Sequence, residues 1–323
     1  MQEHEAVTHE SKPEAPRPLA ERIGAQALRR RRIEAAPPFG RGNCERDCLT
    51  AGQALQMLLL HTGLRCLGLH ARGVRNTQDL RLREEEVFLP SLPPALDGFR
   101  LLHLSDLHFG RTLPAHENAV CLLLEGVTAD LCAVTGDFRF GHYGPFDHVV
   151  PAVRRMLDGL RLRYGAYAVL GNHDTLAFAE AVEGAGLRVL FNEGLAVGEG
   201  DSALWLAGVD DPHLYRMDDL DAALRGAPTD MFRILLAHSP ECAEEAAKKG
   251  IGLYLCGHTH GGQVRLPVLG AVKSNARCPR ARMLGHWQVG TMAGFTSAGL
   301  GTTDAVLRFC CPPEANLFTL RRK

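Results

Sequence analysis

From Phe99 onward the chain alternates short apolar runs with helix-like stretches, and each run ends in a polar or Gly-rich turn. Runs of this length predict strands over 100–104, 130–135, 167–170, 188–191, 203–207, 233–237 and 252–256. Strands that alternate with helical segments point to α/β layering. The punctuation after Ala237 supports the pattern. Ser239 suits an N-cap, Pro240 a first helical position, Lys248 and Lys249 a last turn, and Gly250 a stop. His238 is thereby expected where a strand ends and a helix begins, which is where α/β proteins build sites.

The first hundred residues follow another grammar. Residues 1 to about 20, rich in Glu, Pro and Ala, are expected to be mobile, and 1–49 reads as an extension of that kind. It contains the run Arg29-Arg30-Arg31-Arg32 and a breaker at Pro37-Pro38 and Gly40. A helix is predicted from about Thr50 to Leu69, with Leu55, Leu58, Leu59 and Leu67 at near-helical spacing, and 50–86 reads as a helical segment ahead of a catalytic domain over 87–323. The favoured reading packs this helix on the domain with its charged face solvated. In the other, arginines and leucines rest on an anionic membrane or form a lid.

Composition narrows the choice of partner. With 36 basic and 37 acidic side chains the net charge is -1, so no overall field favours nucleic acid or lipid and any such contact must be local. Ten cysteines are scattered through apolar segments without the spacing of a disulfide framework, which predicts a reduced, cytoplasmic protein. Cys44-x3-Cys48 and Cys310-Cys311 lack the paired spacing of a zinc site. No apolar h-region opens the chain and no run approaches the ~20 residues of a membrane span.

The chemistry lies at the strand ends. Five runs each terminate in metal-ligand residue types: Asp106-Leu107-His108, Gly136-Asp137, Gly171-Asn172-His173-Asp174, His238, and Gly257-His258-Thr259-His260. One His or Asp at such a place is ordinarily a cap or turn former, so the recurrence carries the argument. A mixed imidazole, carboxylate and amide set suits divalent transition ions better than an all-Cys zinc or all-oxygen calcium site. Two ions need a bridging group, and the two oxygens of Asp137 qualify.

These segments, from SDLHFG at 105–110 to GHTHGGQ at 257–263, resemble the calcineurin-like metallophosphoesterases, whose pattern reads D-x-H, G-D, G-N-H-[DE], H, G-H-x-H. The resemblance covers about Val87 to Leu320, including RFCCPPEANLFTL, which looks like a closing strand segment. It implies a four-layer αββα sandwich of two mixed sheets. One metal would be held by Asp106, His108, Asp137 and His260, and a second by Asp137, Asn172, His238 and His258. Manganese is the expected ion, with iron, zinc, nickel or cobalt as alternatives. His173 matches the family's general acid and Asp174 the carboxylate that orients its ring. The implied reaction is hydrolysis of a phosphodiester or pyrophosphate by a hydroxide activated between the ions.

Substrate contacts are expected from the loop 138–146. Arg139 suits a second phosphate and otherwise a surface ion pair with Asp147. Asn172 is a further candidate, His142 within that loop and His148 just beyond it are candidates on equal terms, and His103 reads as packing or a hydrogen bond inside a strand. Asp210, Asp211 and His213 resemble a metal trio but read better as a turn before Pro212. The bacterial branch resembled includes phosphodiesterases and UDP-2,3-diacylglucosamine pyrophosphatases of lipid A synthesis, so the expected partner is a phosphorylated small molecule or lipid-linked substrate, with peripheral contact at an inner membrane. A phosphomonoesterase and a catalytically silent metal-binding scaffold are the competing readings.

Overall fold

A computed structural model describes residues 18–35, 51–110, 114–142, 144–272, 276–303 and 305–323. The stretch up to Arg17, the breaker at Pro37 to Gly40, and Cys44 and Cys48 lie outside the described residues. All seven predicted strands form: Arg100–Leu104 (β2), Leu131–Thr135 (β3), Ala166–Val169 (β4), Leu187–Val189 (β5), Leu204–Gly208 (β7), Arg233–Leu236 (β8) and Leu253–Cys256 (β9). Pattern reasoning missed Glu193–Val197 (β6), Gly285–Val289 (β10) and Met292–Thr296 (β11), while Glu314–Arg322 (β12) is the closing strand suggested by the ending.

Two six-stranded sheets result. The first has the order β1-β12-β2-β3-β4-β5, with β1 spanning Arg81–Leu89, and the second β10-β11-β9-β8-β7-β6. Both are mixed: β12 runs antiparallel to β2, and β6 and β10 antiparallel to their neighbours, while the central pairs are parallel. Strand alternation divides each sheet into two faces. Leu101, Leu131 and Ala133 meet Leu206, Ile234, Leu236 and Leu255 between the sheets. Their neighbours Leu102, Leu104, Cys132 and Val134 face outward, onto a layer that includes Val153 and Phe178. These two come from the helices Val149–Asp158 and Leu176–Glu183. On the far side Trp205, Leu235 and Tyr254 pack with Leu220, Ala243 and Ala246. This is the expected four-layer αββα sandwich.

The N-terminal third departs from expectation. Leu19–Ala35 forms a helix (α1), kinked at Gly24, whose Leu19, Ile23 and Ala27 join the core, so the mobile reading does not hold for these residues. The basic run is no uniform surface patch, because Arg30 is completely buried. The expected boundary at residue 87 cuts through β1, which pairs with β12 from Arg81↔Glu314 onward. Its Glu84-Glu85-Glu86 conceals the strand, since a charged edge breaks the apolar alternation.

The predicted helix at 50–69 is present as Ala51–Cys66 (α2), followed by His70–Arg75 (α3). The leucines expected to pack are not the covered ones: Leu55, Leu58 and Leu59 are 56 to 63% exposed, while Met57, Leu60, His61 and Leu64 are half-buried. A periodic leucine stripe shows that a helix has an apolar face, and not what covers it.

Candidate metal centre

Five strand-end loops from both sheets converge. Their backbones are forced into unusual shapes: Asp106, His108, Asp137, His258 and His260 all have φ between 45 and 68°. Left-handed non-glycine residues cost of order 1–3 kcal/mol each and persist where the surroundings over-determine them, as at active sites. The loops also touch at van der Waals limits. A Cβ on Gly171 would overlap Asp137, and one on Gly257 would overlap Ser105 Oγ and Asp106 Oδ2.

Among the described residues, three groups of ligand atoms lie within 4.8 Å of one another: Asp106, His108 and His260; His108, Asp137 and His173; and Asp137, His238 and His258. Asp137 belongs to two of them, which join at its carboxylate. His108 Nε2 stands 3.1 Å from His260 Nε2, and His260 Nε2 is 3.3 Å from Asp106 Oδ1. On the other side His238 Nε2 is 3.3 Å from Asp137 Oδ2, 3.1 Å from Asn172 Oδ1 and 3.2 Å from His258 Nδ1.

Partners outside the cluster set the tautomers. His238 Nδ1 donates to Thr135 O at 2.7 Å and His108 Nδ1 donates to Arg139 O at 3.3 Å, so both Nε2 atoms face inward and offer a lone pair whenever they carry no proton. Burial first, then neighbouring rings, drive His258 and His260 well below the ordinary imidazole range, leaving them neutral. Inward-facing lone pairs and carboxylate oxygens this close repel unless cations or protons lie between them. The donor set therefore fits divalent ions.

In the metal-free protein protons take that place. Burial opposes charge on His238, but Asp137 and Asp106 outweigh it and raise the ring to about 10. Burial also opposes charge on Asp137, where His238 and His173 prevail and hold it well below the usual carboxylate range. Asp106 is pushed up to about 7 by burial.

Asp174 departs from its expected task. Its carboxylate accepts the N–H groups of Asp137 (2.8 Å), Phe138 (3.1 Å) and Gly171 (2.9 Å), so it ties two site loops together and does not hold the His173 ring. His173 is positioned by its own N–H on Asp137 Oδ1 at 2.9 Å and by stacking on His142, with ring centroids 4.3 Å apart. His142 Nε2 lies 3.4 Å from Asn172 Nδ2. Arg139 is buried, donates to Gly144 O at 3.1 Å and lies over the Phe146 ring. These contacts, in place of the expected surface pair with Asp147, tie its side chain to Gly144 and Phe146.

His103 is a strand-interior histidine bonded to Thr135 Oγ1, and burial pushes it down to about 3. His148 is exposed beside Gly110. The Asp211 carboxylate accepts from the N–H groups of His213, Leu214 and Tyr215, as a turn former does. The turn reading gives His213 no task of its own, yet its ring lies 4.1 Å from that of His258 and its Nδ1 is 2.7 Å from Glu241 Oε1. Nothing local to residue 213 signals this, because His258 and Glu241 come from other loops.

A family model described as Calcineurin-like phosphoesterase matches residues 99–262. An uncharacterized metallophosphoesterase of Bacillus subtilis, YkuE, is 30% identical over 242 residues, covering 71% of this chain and 82% of that protein. Phosphodiesterase YaeI of Escherichia coli is 30% identical over 233 residues, covering 69% of this chain and 82% of its own length. An uncharacterized metallophosphoesterase of Aquifex aeolicus is 28% identical over 261 residues, 76% of this chain and 94% of the relative.

Proposed function

This chain belongs to the calcineurin-like phosphoesterases and is a hydrolase of phosphoric ester or anhydride bonds, and from that premise we propose a dinuclear, manganese-preferring enzyme that cleaves a phosphodiester or pyrophosphate in a lipid-linked substrate. The observation that carries the dinuclear reading is Asp137, shared by two converging ligand groups. Asp106, His108 and His260 complete one side, and Asn172, His238 and His258 the other. Divalent ions bound there activate water and neutralise phosphoryl oxygens. Asn172 is a neutral ligand and limits the negative charge facing an anionic substrate. His173, with its Nε2 3.9 Å from Asp137 Oδ2 and its ring stacked on His142, donates the proton to the departing oxygen.

The diester preference is supported by the likeness to a phosphodiesterase. The lipid-linked part is supported by two exposed apolar features. One is the α2 face with Leu55, Leu58 and Leu59; the other is the hairpin of Arg265–Leu266 and Gly270–Ala271, where Leu266, Val268, Leu269 and Val272 are exposed. The helix α3 that follows α2 and the hairpin flank one segment: Gly73 of α3 abuts Phe309, and Arg265 N donates to Phe309 O. Two residues on, Cys311 Sγ reaches His260 O at 3.3 Å. Among the described residues no helix is long and apolar enough to cross a membrane, so the contact proposed is peripheral, at the cytoplasmic face.

One observation favours a second role for His173. It lies within ligand distance of His108 and Asp137, as a metal-binding residue would. Metal-stripped protein resupplied with manganese is to be assayed on bis-(p-nitrophenyl) phosphate, p-nitrophenyl phosphate and UDP-2,3-diacylglucosamine, with Asp137→Ala and His173→Ala alongside. The proposal expects metal-dependent turnover, highest on the diester or diphosphate lipid, and lost in both variants. His173→Ala that keeps both metals is the acid; one that loses metal is a ligand. Preference for the monoester would overturn the bond assignment. Metal binding with no turnover on all three would favour the scaffold.

A further inference from the structure

The helix α1 lies outside the matched family region, yet its Arg30 bonds segments from both sheets beside the Asn172–His258 side of the metal centre. The side chain is completely buried. Its Nη1 donates to both carboxylate oxygens of Asp210, at 2.7 and 2.8 Å, and its Nη2 to the carbonyl of Asp174 at 2.8 Å. Its Nε donates to Glu34 at 3.0 Å, and the guanidinium lies 3.1 Å from the centre of the Tyr215 ring. Glu34, one turn on, accepts the Leu176 N–H at 3.0 Å. Two side chains of α1 thus hold the 171–176 loop, one at a carbonyl and one at an amide.

The two acceptors of Arg30 beyond α1, Asp174 and Asp210, follow strands of different sheets. Asp174 closes the loop after β4 that carries Asn172 and His173. Asp210 follows β7 in the second sheet and opens the turn that places His213 against His258. A guanidinium is a planar fork that fixes the distance and direction between what it binds, which an ammonium does not. For stability alone such a buried pair is a poor device, since desolvation cancels most of its attraction and apolar residues of similar volume often serve as well.

We propose that Arg30 is a positioning residue of the metal centre, clamping the Asn172–His173 loop of one sheet to the Asp210–His213 turn of the other, so that α1 is part of the active-site machinery. The assignment rests on the hydrolase reading for its kinetic consequence, but not for its structural one. Misplacement of reacting groups by about 1 Å from a distant change can lower turnover about a hundredfold.

The test uses the full chain with Arg30→Met/Asp210→Asn, which removes both charges together, and Arg30→Lys. Thermal unfolding, metal content, kcat and KM on bis-(p-nitrophenyl) phosphate, and amide exchange over 171–176 and 209–217 are measured for each. The double variant is expected to fold and retain metal, to exchange faster at 171–176, and to lose at least about tenfold in kcat with KM within about threefold. Arg30→Lys, able to satisfy Asp210 or Asp174 but not both, is expected in between. Wild-type exchange at 171–176, or kcat within twofold of wild type, in the folded double variant would overturn the proposal. So would loss of activity only in step with loss of fold or metal. Absence of wild-type turnover would refute the functional reading instead, and the exchange rates alone would then decide the clamp.

Discussion

His108 and His260 present their Nε2 atoms to each other at 3.1 Å, with ring centroids 5.0 Å apart and planes only 16° from parallel. With His108 Nδ1 committed to the Arg139 carbonyl, its inward nitrogen carries a lone pair, and an imidazole facing it so closely is stable only with a cation or a proton between them.

Stripping the ions is therefore expected to destabilise the fold. A ligand at a hundred times its dissociation constant contributes about 2.7 kcal/mol. In a chain of this size that corresponds to a fall in Tm of roughly 5 °C. Calorimetry with and without chelator checks it, and an unchanged Tm at full metal removal would contradict the convergence of ligands.

Metal uptake is expected to release protons and to tighten as pH rises. His238 is raised to about 10 in the metal-free centre, so it holds its proton throughout the neutral range and must surrender it to become a ligand. Asp106, at about 7, adds a second proton in the lower part of that range. Titration with manganese in two buffers of different ionisation enthalpy, at pH 6.5 and 8, measures the release. Affinity independent of pH would refute it.

Asp174→Asn is expected to behave as a loop defect, with no special effect on the imidazole of His173. An amide has one acceptor oxygen, whereas the carboxylate presents two oxygens that accept from three backbone N–H groups, so at least one buried N–H loses its partner, at about 1–3 kcal/mol. Faster amide exchange at 137, 138 and 171 together with reduced kcat is the expected pair of results. Reduced kcat with exchange unaltered would restore the orienting role.

His213→Ala is expected to leave metal content intact and to lower kcat/KM about tenfold, with Glu241→Ala falling in the same direction because the pair acts through one 2.7 Å contact. A double-mutant cycle should show strong non-additivity. Additive losses would mean that the two side chains act separately.

Gly171→Ala is expected to deplete metal out of proportion to any loss of fold, since the added Cβ would displace the Asp137 carboxylate. Overpacking of this kind costs about 1–3 kcal/mol. Metal analysis on the soluble fraction distinguishes this from simple unfolding, and full occupancy would show that the loop can yield.

How much could be read in advance follows the range of each signal. The seven strands were legible because a buried strand writes its apolar run within five residues, and the five ligand clusters because each sits in one tight turn at a strand end. The charged edge strand β1 was not legible, since one face is solvent and its Glu84 to Glu86 carry no alternation. Nor was the task of Asp174. Its four-residue motif names the residue, while its partners at 137 and 138 are supplied by another strand.

The order of the motifs, the strand positions and the ligand residue types were determined by the sequence alone, because they are properties of short windows and local backbone preference. Tertiary structure decided what those residues do to one another. Arg30 looks like one arginine in a solvated run of four, and only the packing of α1 carries it 180 positions along the chain to Asp210. His213 reads as a turn residue until a second loop brings His258 beside it. Leu55, Leu58 and Leu59 have the spacing of a core face and lie in solvent. Burial and pairing depend on which surfaces meet, and no window of sequence contains both.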